Sequence, residues 1–376
     1  MAKIRVLIVD DAVVIRKLLS EALASDPDIE IAGIAANGRI ALAKLADLAP
    51  DIVTLDVEMP EMDGLATLTQ IRKLQPKLPV VMFSTLTEAG AGTTLEALAR
   101  GASDYATKPS NTGSMDKARQ AVIDELVPRI KALCARKLAA PAPPRSPDRP
   151  ATGPTSFVPR ADAARPAASG ERLLRARASY LLAIGCSTGG PNALDCVLGG
   201  LPAELGVPVV IVQHMPPMFT RLLAERLDTK CPLRVHEAQA GMRLEPNHVY
   251  IAPGDWHMLV KREGTGLSIA LDQSAPENSC RPAVDVLFRS VAQVCGATTL
   301  AVVLTGMGRD GTRGCEQIHA AGGRILAQDE ATSVVWGMPG FVAQSGVAEA
   351  ILPLQRVPVE ITRILAQSRA AGVRKG

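Results

Sequence analysis

Residues 4–11 read IRVLIVDD, a short apolar run closed by two acids. A run of this length and composition reads as a strand buried on both faces, because a half-exposed strand would alternate apolar and polar residues. Directly after it, AVVIRKLLSEALA (12–24) places its apolar residues at helical spacing. The same pair of patterns then repeats. IEIAGIA (29–35), DIVTLD (51–56), PVVMFS (79–84) and DYATK (104–108) read as strands, and RIALAKLADL, LATLTQIRKL and TTLEALARGA as helices between them. Five β-α units over about 130 residues imply a parallel sheet covered on both faces.

Asp10 and Asp11 close the first of these strands and Asp56 the third, while Ser84 and Lys108 end the fourth and fifth. In an open α/β sheet, ligands gather beyond the carboxyl ends of the strands where the winding reverses. With the order 2-1-3-4-5, strands one and three are neighbours and the three carboxylates converge. They repel one another unless a cation neutralises them, and a hard Mg²⁺ held by carboxylates and water suits that need. On these residues alone a blander reading stays open, in which the DD pair caps the helix that follows.

The composition changes at 139–170, a stretch dominated by Ala, Pro and Arg with little to bury. It reads as a semi-extended linker between two blocks. The second block is again α/β: LLAIG (181–185), VPVVIVQ (207–213), HVYIAP (248–253), TTLAVVLTG (298–306) and RILAQD (324–329) as strands, HMLVKR and LSIAL as a hairpin around EGTG. Helices are expected after Pro191, around 218–227, after Pro282 and after Asp310. The division is 1–125 for the first domain, 126–175 for a helical extension and linker, 176–360 for the second domain, and 361–376 for a tail.

The 376 residues carry 41 basic and 38 acidic side chains, a net charge of +3. That near-balance, with only 3% aromatic residues and no helix-turn-helix pattern, speaks against a nucleic-acid partner. No apolar run reaches the ~18 residues that would span a bilayer, so no direct membrane insertion is expected. The seven cysteines form no C-x-x-C pair, which fits a reduced, cytoplasmic protein.

Within the second block, LLAI (181–184) runs into GCSTGG (185–190), and Gly185-Cys186-Ser187-Thr188-Gly189 fits G-x-S-x-G. That pattern belongs to a nucleophile on a tight strand-to-helix turn, with free N–H groups of the new helix near a developing oxyanion. Two other readings stay open on the hexapeptide: a glycine-rich phosphate loop and a packing turn. A serine needs a base. Of the histidines at 214, 236, 248, 257 and 319, only His214 ends a strand, VPVVIVQ, at the same kind of carboxyl edge as Ser187. LTGMGRDG (304–311) then places Asp310 in a glycine-rich turn at a third strand end, a combination its rivals Asp255 and Asp285 lack. The neighbouring Cys186 reads as packing, since adjacent side chains diverge.

IVDD (8–11), LDVEMPEMDG (55–64), FST (83–85) and YATKP (105–109) resemble the flavodoxin-like (βα)5 receiver domain of two-component response regulators. The resemblance implies that Asp56 accepts a phosphoryl group from a chemotaxis histidine kinase. It further implies that Asp10, Asp11, Asp56 and the Glu58 carbonyl hold Mg²⁺, and that Lys108, Ser84 and Tyr105 form the phosphoryl switch. AIGCSTGG (183–190), VQHMPP (212–217), YIAPGDWHM (250–258), RPAVDVLFRSVA (281–292), LTGMGRDG (304–311) and AGGRILAQDEATSVVWGMPG (321–340) resemble the chemotaxis protein-glutamate methylesterase family. This implies a doubly wound, mostly parallel domain with a Ser187–His214–Asp310 triad and a Met307 N–H in the oxyanion hole. The implied reaction is hydrolysis of glutamate γ-methyl esters on chemoreceptor helices, with deamidation of receptor glutamines, and no cofactor in this domain. One departure from the pattern is Cys280, where many relatives are expected to carry histidine. The competing functional classes are a response regulator whose second half only binds, and a phosphate-binding transferase.

Overall fold

The computed structural model describes residues 3–85, 87–109, 113–138 and 181–373. The Ala/Pro/Arg-rich stretch read as a linker lies outside them. In the first domain, β1 (Ile4–Val9), β2 (Ile29–Ala35), β3 (Ile52–Asp56), β4 (Val80–Ser84) and β5 (Asp104–Thr107) form one sheet in the order β2-β1-β3-β4-β5. Every pairing in it is parallel. Around it lie α1 (Val13–Ala24), α2 (Gly38–Leu48), α3 (Gly64–Leu74), α4 (Glu88–Ala99) and α5 (Met115–Leu133), followed by the short α6 (Ala135–Leu138). Asn37, Asp63, Thr87 and Ser114 cap α2 to α5 through their side chains. The N-cap of α1 is instead Ala12, with no side-chain cap. Asp10 accepts one hydrogen bond from the Ala12 N–H at 2.9 Å, but the DD pair belongs to the strand edge and not to a capped helix.

The second domain has a seven-stranded sheet of β6 (Leu181–Cys186), β7 (Val209–Gln213), β8 (Arg234–Glu237), β9 (His248–Ile251), β12 (Thr299–Val303), β13 (Arg324–Gln328) and β14 (Ala350–Leu352). Its order is β14-β13-β12-β6-β7-β9-β8, and all its pairings are parallel. A separate antiparallel hairpin of β10 (His257–Glu263) and β11 (Gly266–Asp272) lies where the sequence placed it. The helices are α7 (Gly190–Gly199), α8 (Pro217–Lys230), α9 (Val284–Cys295), α10 (Thr312–Ala320), α11 (Met338–Gln344) and α12 (Val357–Val373). The chain starts this sheet at its centre: β6 lies between β7 and β12, so the crossovers leave it in both directions. A crevice opens at such a point beyond the strand ends.

Helix α5 continues through residue 125 to Leu133, with Val127 and Ile130 buried. The segment from 361, read as a tail, opens with Ile361, Ile364 and Leu365 buried in the core, at the i, i+3, i+4 spacing that seats one helix face.

The two domains touch. Tyr105 of β5 stacks on Phe219 of α8, with ring centroids 4.6 Å apart and planes 15° from parallel. Beside it, Thr188 donates a buried hydrogen bond to Asp104 Oδ2 at 2.8 Å. Asn192 reaches the Leu98 carbonyl at 2.7 Å, Arg226 reaches the Leu95 carbonyl at 2.7 Å, and Arg221 pairs with Glu88 at the rim. One apolar cluster runs through the contact, joining Leu95, Leu98 and Tyr105 to Leu194, Phe219 and Leu223.

Candidate active site and phosphoacceptor pocket

At the carboxyl edge of the first sheet, carboxylate oxygens of Asp10, Asp11 and Asp56 all lie within 4.8 Å of one another. Asp10 and Asp56 are buried and Asp11 is exposed. Gly64 is required here by close approach: a Cβ at that position would stand 2.2 Å from the Asp56 carbonyl oxygen. Lys108 Nζ lies 2.7 Å from Asp56 Oδ2 and 2.9 Å from Asp10 Oδ2. The second contact is an ion pair without hydrogen-bond alignment, since Asp10 Oδ2 has no aligned donor. Burial pushes the Asp56 carboxyl up to about 6, with the charge of Asp10 adding to it against the pull of Lys108. Three carboxylates facing one ammonium are under-neutralised. Their oxygen donors, one of them without an aligned donor, fit a hard divalent cation such as Mg²⁺.

A depression of about 510 Å³ opens over Asp11, Glu58, Met59 and Thr93. The hydroxyl of Ser84 is engaged elsewhere, donating to the carbonyls of Thr85 and Gly90 at 3.3 Å. Tyr105 likewise faces the second domain. Millimolar Mg²⁺ is expected to raise the melting temperature of the chain in proportion to the logarithm of its concentration. Calorimetry of Asp11→Asn should show that dependence weakened.

At the crevice of the second sheet, β6 and β7 are paired in register through Cys186 and Gln213, so Ser187 and His214 leave adjacent strand ends. The His214 N–H bonds the Cys186 carbonyl at 3.2 Å, and Gln213 Nε2 donates to the Ser187 carbonyl at 3.0 Å. From the other side, the Ser187 N–H donates to the Thr305 carbonyl at 3.0 Å. The loop 304–311 can lie this close because residue 306 is glycine; a Cβ there would meet Ser187 Cβ at 2.9 Å and Met338 Sδ at 2.4 Å. Within that loop the Met307 N–H donates to no group among the described residues. It is therefore available to an incoming oxygen.

His214 Nε2 and Asp310 Oδ2 are 2.8 Å apart. An ionised carboxylate only accepts, so Nε2 carries the hydrogen and Nδ1 is left as the base nitrogen. Asp310 is fixed by four more donors: the N–H groups of Val284, Asp285 and Gly311, and Asn278 Nδ2. Val284 and Asp285 open α9, so the positive end of that helix also faces the carboxylate. Burial would raise Asp310, but His214 and these N–H groups hold it below the ordinary carboxylate range. The hydroxyl of Ser187 makes no hydrogen bond among the described residues. Nδ1 of His214 is faced instead by Cys280 Sγ at 3.5 Å.

The rivals are accounted for. Asp285 is tied to Asn278 and the Gly314 N–H, and Asp255 to Arg281 at the surface. His257 is buried between the Ala283 N–H and the Ala275 carbonyl, and His236 bonds His248. Cys186 is fully buried, and burial raises its thiol far above the ordinary range. Asn278 went unseen in the sequence, because an asparagine in a turn gives no sign of which carboxylates it will bridge.

An acidic strand-edge pocket with one lysine, joined to a serine, a carboxylate-bound histidine and a free backbone donor at a switch point, defines a class: a receiver coupled to an α/β hydrolase. Residues 6–120 match the response regulator receiver domain, and residues 182–361 match the CheB methylesterase. A protein-glutamate methylesterase/protein-glutamine glutaminase of a Nocardioides species is 52% identical over 100% of this chain and 99% of its own. One from Trichodesmium erythraeum is 48% identical over 96% and 99%. Among solved structures, the Thermotoga maritima CheB methylesterase catalytic domain is 42% identical, covering 50% of this chain and 99% of its own, with a TM-score of 0.49. The chain belongs to the protein-glutamate methylesterase/protein-glutamine glutaminase family.

Proposed function

We propose that the second domain hydrolyses glutamate γ-methyl esters on chemoreceptor helices by acyl transfer through Ser187, and deamidates receptor glutamines by the same route. The observation that carries this reading is the His214–Asp310 hydrogen bond, standing at the strand end next to Ser187. His214 Nδ1 takes the Ser187 proton as Oγ attacks the ester carbonyl, and the Asp310 carboxylate holds the ring in that tautomer. The carbonyl oxygen becomes an oxyanion and receives the Met307 N–H. The proton on His214 passes to the departing methoxide, which leaves as methanol. Water then attacks the acyl-serine by the same proton route, freeing the glutamate carboxylate.

The first domain is read as the switch. Asp56 accepts a phosphoryl group from a histidine kinase; Asp10, Asp11, Asp56 and the Glu58 carbonyl would hold Mg²⁺. When bound, the cation neutralises charge on the transferring phosphoryl group. Lys108 neutralises the phosphoryl oxygens, while Ser84 and Tyr105 respond to the change. The division into a receiver, a linker outside the described residues and an esterase belongs to the same proposal. Thr188, directly after the nucleophile, is bonded to Asp104 of the receiver, so receiver docking restrains the nucleophile turn.

The test is methanol release from methylated receptor membranes, with and without a small phosphodonor and Mg²⁺. Release is expected to rise with phosphodonor, and Asp56→Asn is expected to remove that rise. No release while Asp56 is phosphorylated would sink the esterase reading. A rise that persists in Asp56→Asn would sink the account of the switch.

A further inference from the structure

We propose that Cys280 is a positioning residue of the esterase: its sulfur holds the Nδ1 side of His214 away from Ser187 and sets how readily the ring gives up its proton. The inference rests on the triad reading above and adds to it a fourth side chain acting through the base.

The geometry is specific. Cys280 Sγ stands 3.5 Å from His214 Nδ1, the nitrogen that Asp310 leaves free, while Ser187 Oγ makes no hydrogen bond among the described residues. The turn carrying this thiol is built at a cost. Asn278 and Ser279, neither of them glycine, are both left-handed, with φ of 53° and 61°. Such backbone persists only where its surroundings over-determine it. Here they do. Glu277 and Cys280 exchange backbone hydrogen bonds of 3.1 and 2.9 Å, and Arg289 grips the Glu277 carboxylate through both nitrogens. Arg281 is tied to Asp255 and to the carbonyls of Gln273 and Ser274. Asn278 Nδ2 meanwhile donates to Asp310 Oδ1 at 2.8 Å. One rigid turn therefore touches both ends of the His214–Asp310 pair.

Two titratable groups face the His214 ring: Asp310 from the loop after β12 and Cys280 from the turn before α9. Behind Asp310 stand Asp285 at the start of α9 and Glu277, itself paired with Arg289. His257 faces away, accepting from the Ala283 N–H. Burial disfavours a charged ring, but the contacts with Asp310 and Cys280 overcome it and push His214 up to about 10. A general base works only when deprotonated, so kcat/KM should rise with pH through an alkaline limb set by this contact. With the sulfur gone, the protonated ring loses one partner and the limb moves down.

The experiment uses the full chain with phosphodonor, following methanol release against pH for the native chain, Cys280→Ala and Cys280→Ser. In parallel, labelled histidine in the same proteins allows NMR titration of the five rings, with His214→Gln assigning the His214 signal. In Cys280→Ala, the limb and the His214 titration are both expected to move down by about one pH unit or more, which is about tenfold more neutral base below the limb. Cys280→Ser, whose hydroxyl oxygen can still accept from the protonated Nδ1, should fall between. A limb and a His214 titration both unchanged in Cys280→Ala would overturn the proposal while leaving the triad intact. Turnover retained in His214→Gln would overturn the triad itself, and this inference with it.

Discussion

Replacing Ser187 with alanine is expected to lower methanol release by at least ~10³-fold, the scale seen when a nucleophile is removed from a triad that acts as a unit. The melting temperature should stay where it was. The two expectations are separable because of how the residue is held. Its backbone is fixed, with the N–H on the Thr305 carbonyl and the carbonyl on Gln213 Nε2, while its hydroxyl makes no hydrogen bond among the described residues. Removing that oxygen leaves no buried partner unsatisfied, and such substitutions stay within about 0.5 kcal/mol. Asp310 offers the contrast. Its carboxylate accepts from His214, three backbone N–H groups and Asn278, so Asp310→Ala would strand several buried donors and confuse lost chemistry with lost fold. Turnover retained in Ser187→Ala, with phosphorylation of Asp56 unaffected, would remove the serine from the reaction.

What the sequence could and could not announce follows from the range of the forces involved. Most strands of both sheets are legible because a strand buried on two faces is largely apolar, as in IRVLIV or TLAVV, and the acids and the serine stand out at their ends; the edge strand β8, RVHE, offers no such run. The edge strand β14 was not legible, being three residues long with Ile351 exposed. The face of α12 that seats Ile361, Ile364 and Leu365 does not stand out in the sequence, because the basic end of the helix masks the apolar residues before it. At the site, Ser187, His214 and Asp310 were singled out by their strand ends. The contact between Cys280 and His214 could not be, since it depends on two left-handed residues and three anchoring side chains in a turn without periodicity. The Tyr105–Phe219 stack is likewise a property of docking: 114 positions separate the two rings, and each alone reads as core.

That stack carries the second large expected effect. Tyr105→Ala should raise methanol release by the unphosphorylated chain by about tenfold or more, up to whatever rate phosphodonor gives the native chain. Tyr105 and Asp104 are consecutive on β5; one packs on α8 and the other takes the Thr188 hydroxyl, one residue from the nucleophile. A stacked aromatic pair contributes about 0.5–1.5 kcal/mol beyond its burial, and burying one aromatic side chain contributes about 1.5–3 kcal/mol. Losing both from the docked state alone weakens docking by about 2–4.5 kcal/mol, against a factor of ten in population for each 1.4 kcal/mol. Of the remaining polar contacts, Arg221 with Glu88 is at the rim, where solvent screens the ion pair and leaves it little weight. The gain from phosphodonor should shrink as the basal rate rises, because both act on one docking equilibrium and cannot add beyond full release. Thr188→Ala, which loses one buried hydrogen bond, should give a smaller rise in the same direction. If Tyr105→Ala abolished the response to phosphodonor without raising basal release, Tyr105 would act in the switch alone, and the stack on Phe219 would not be what restrains the esterase.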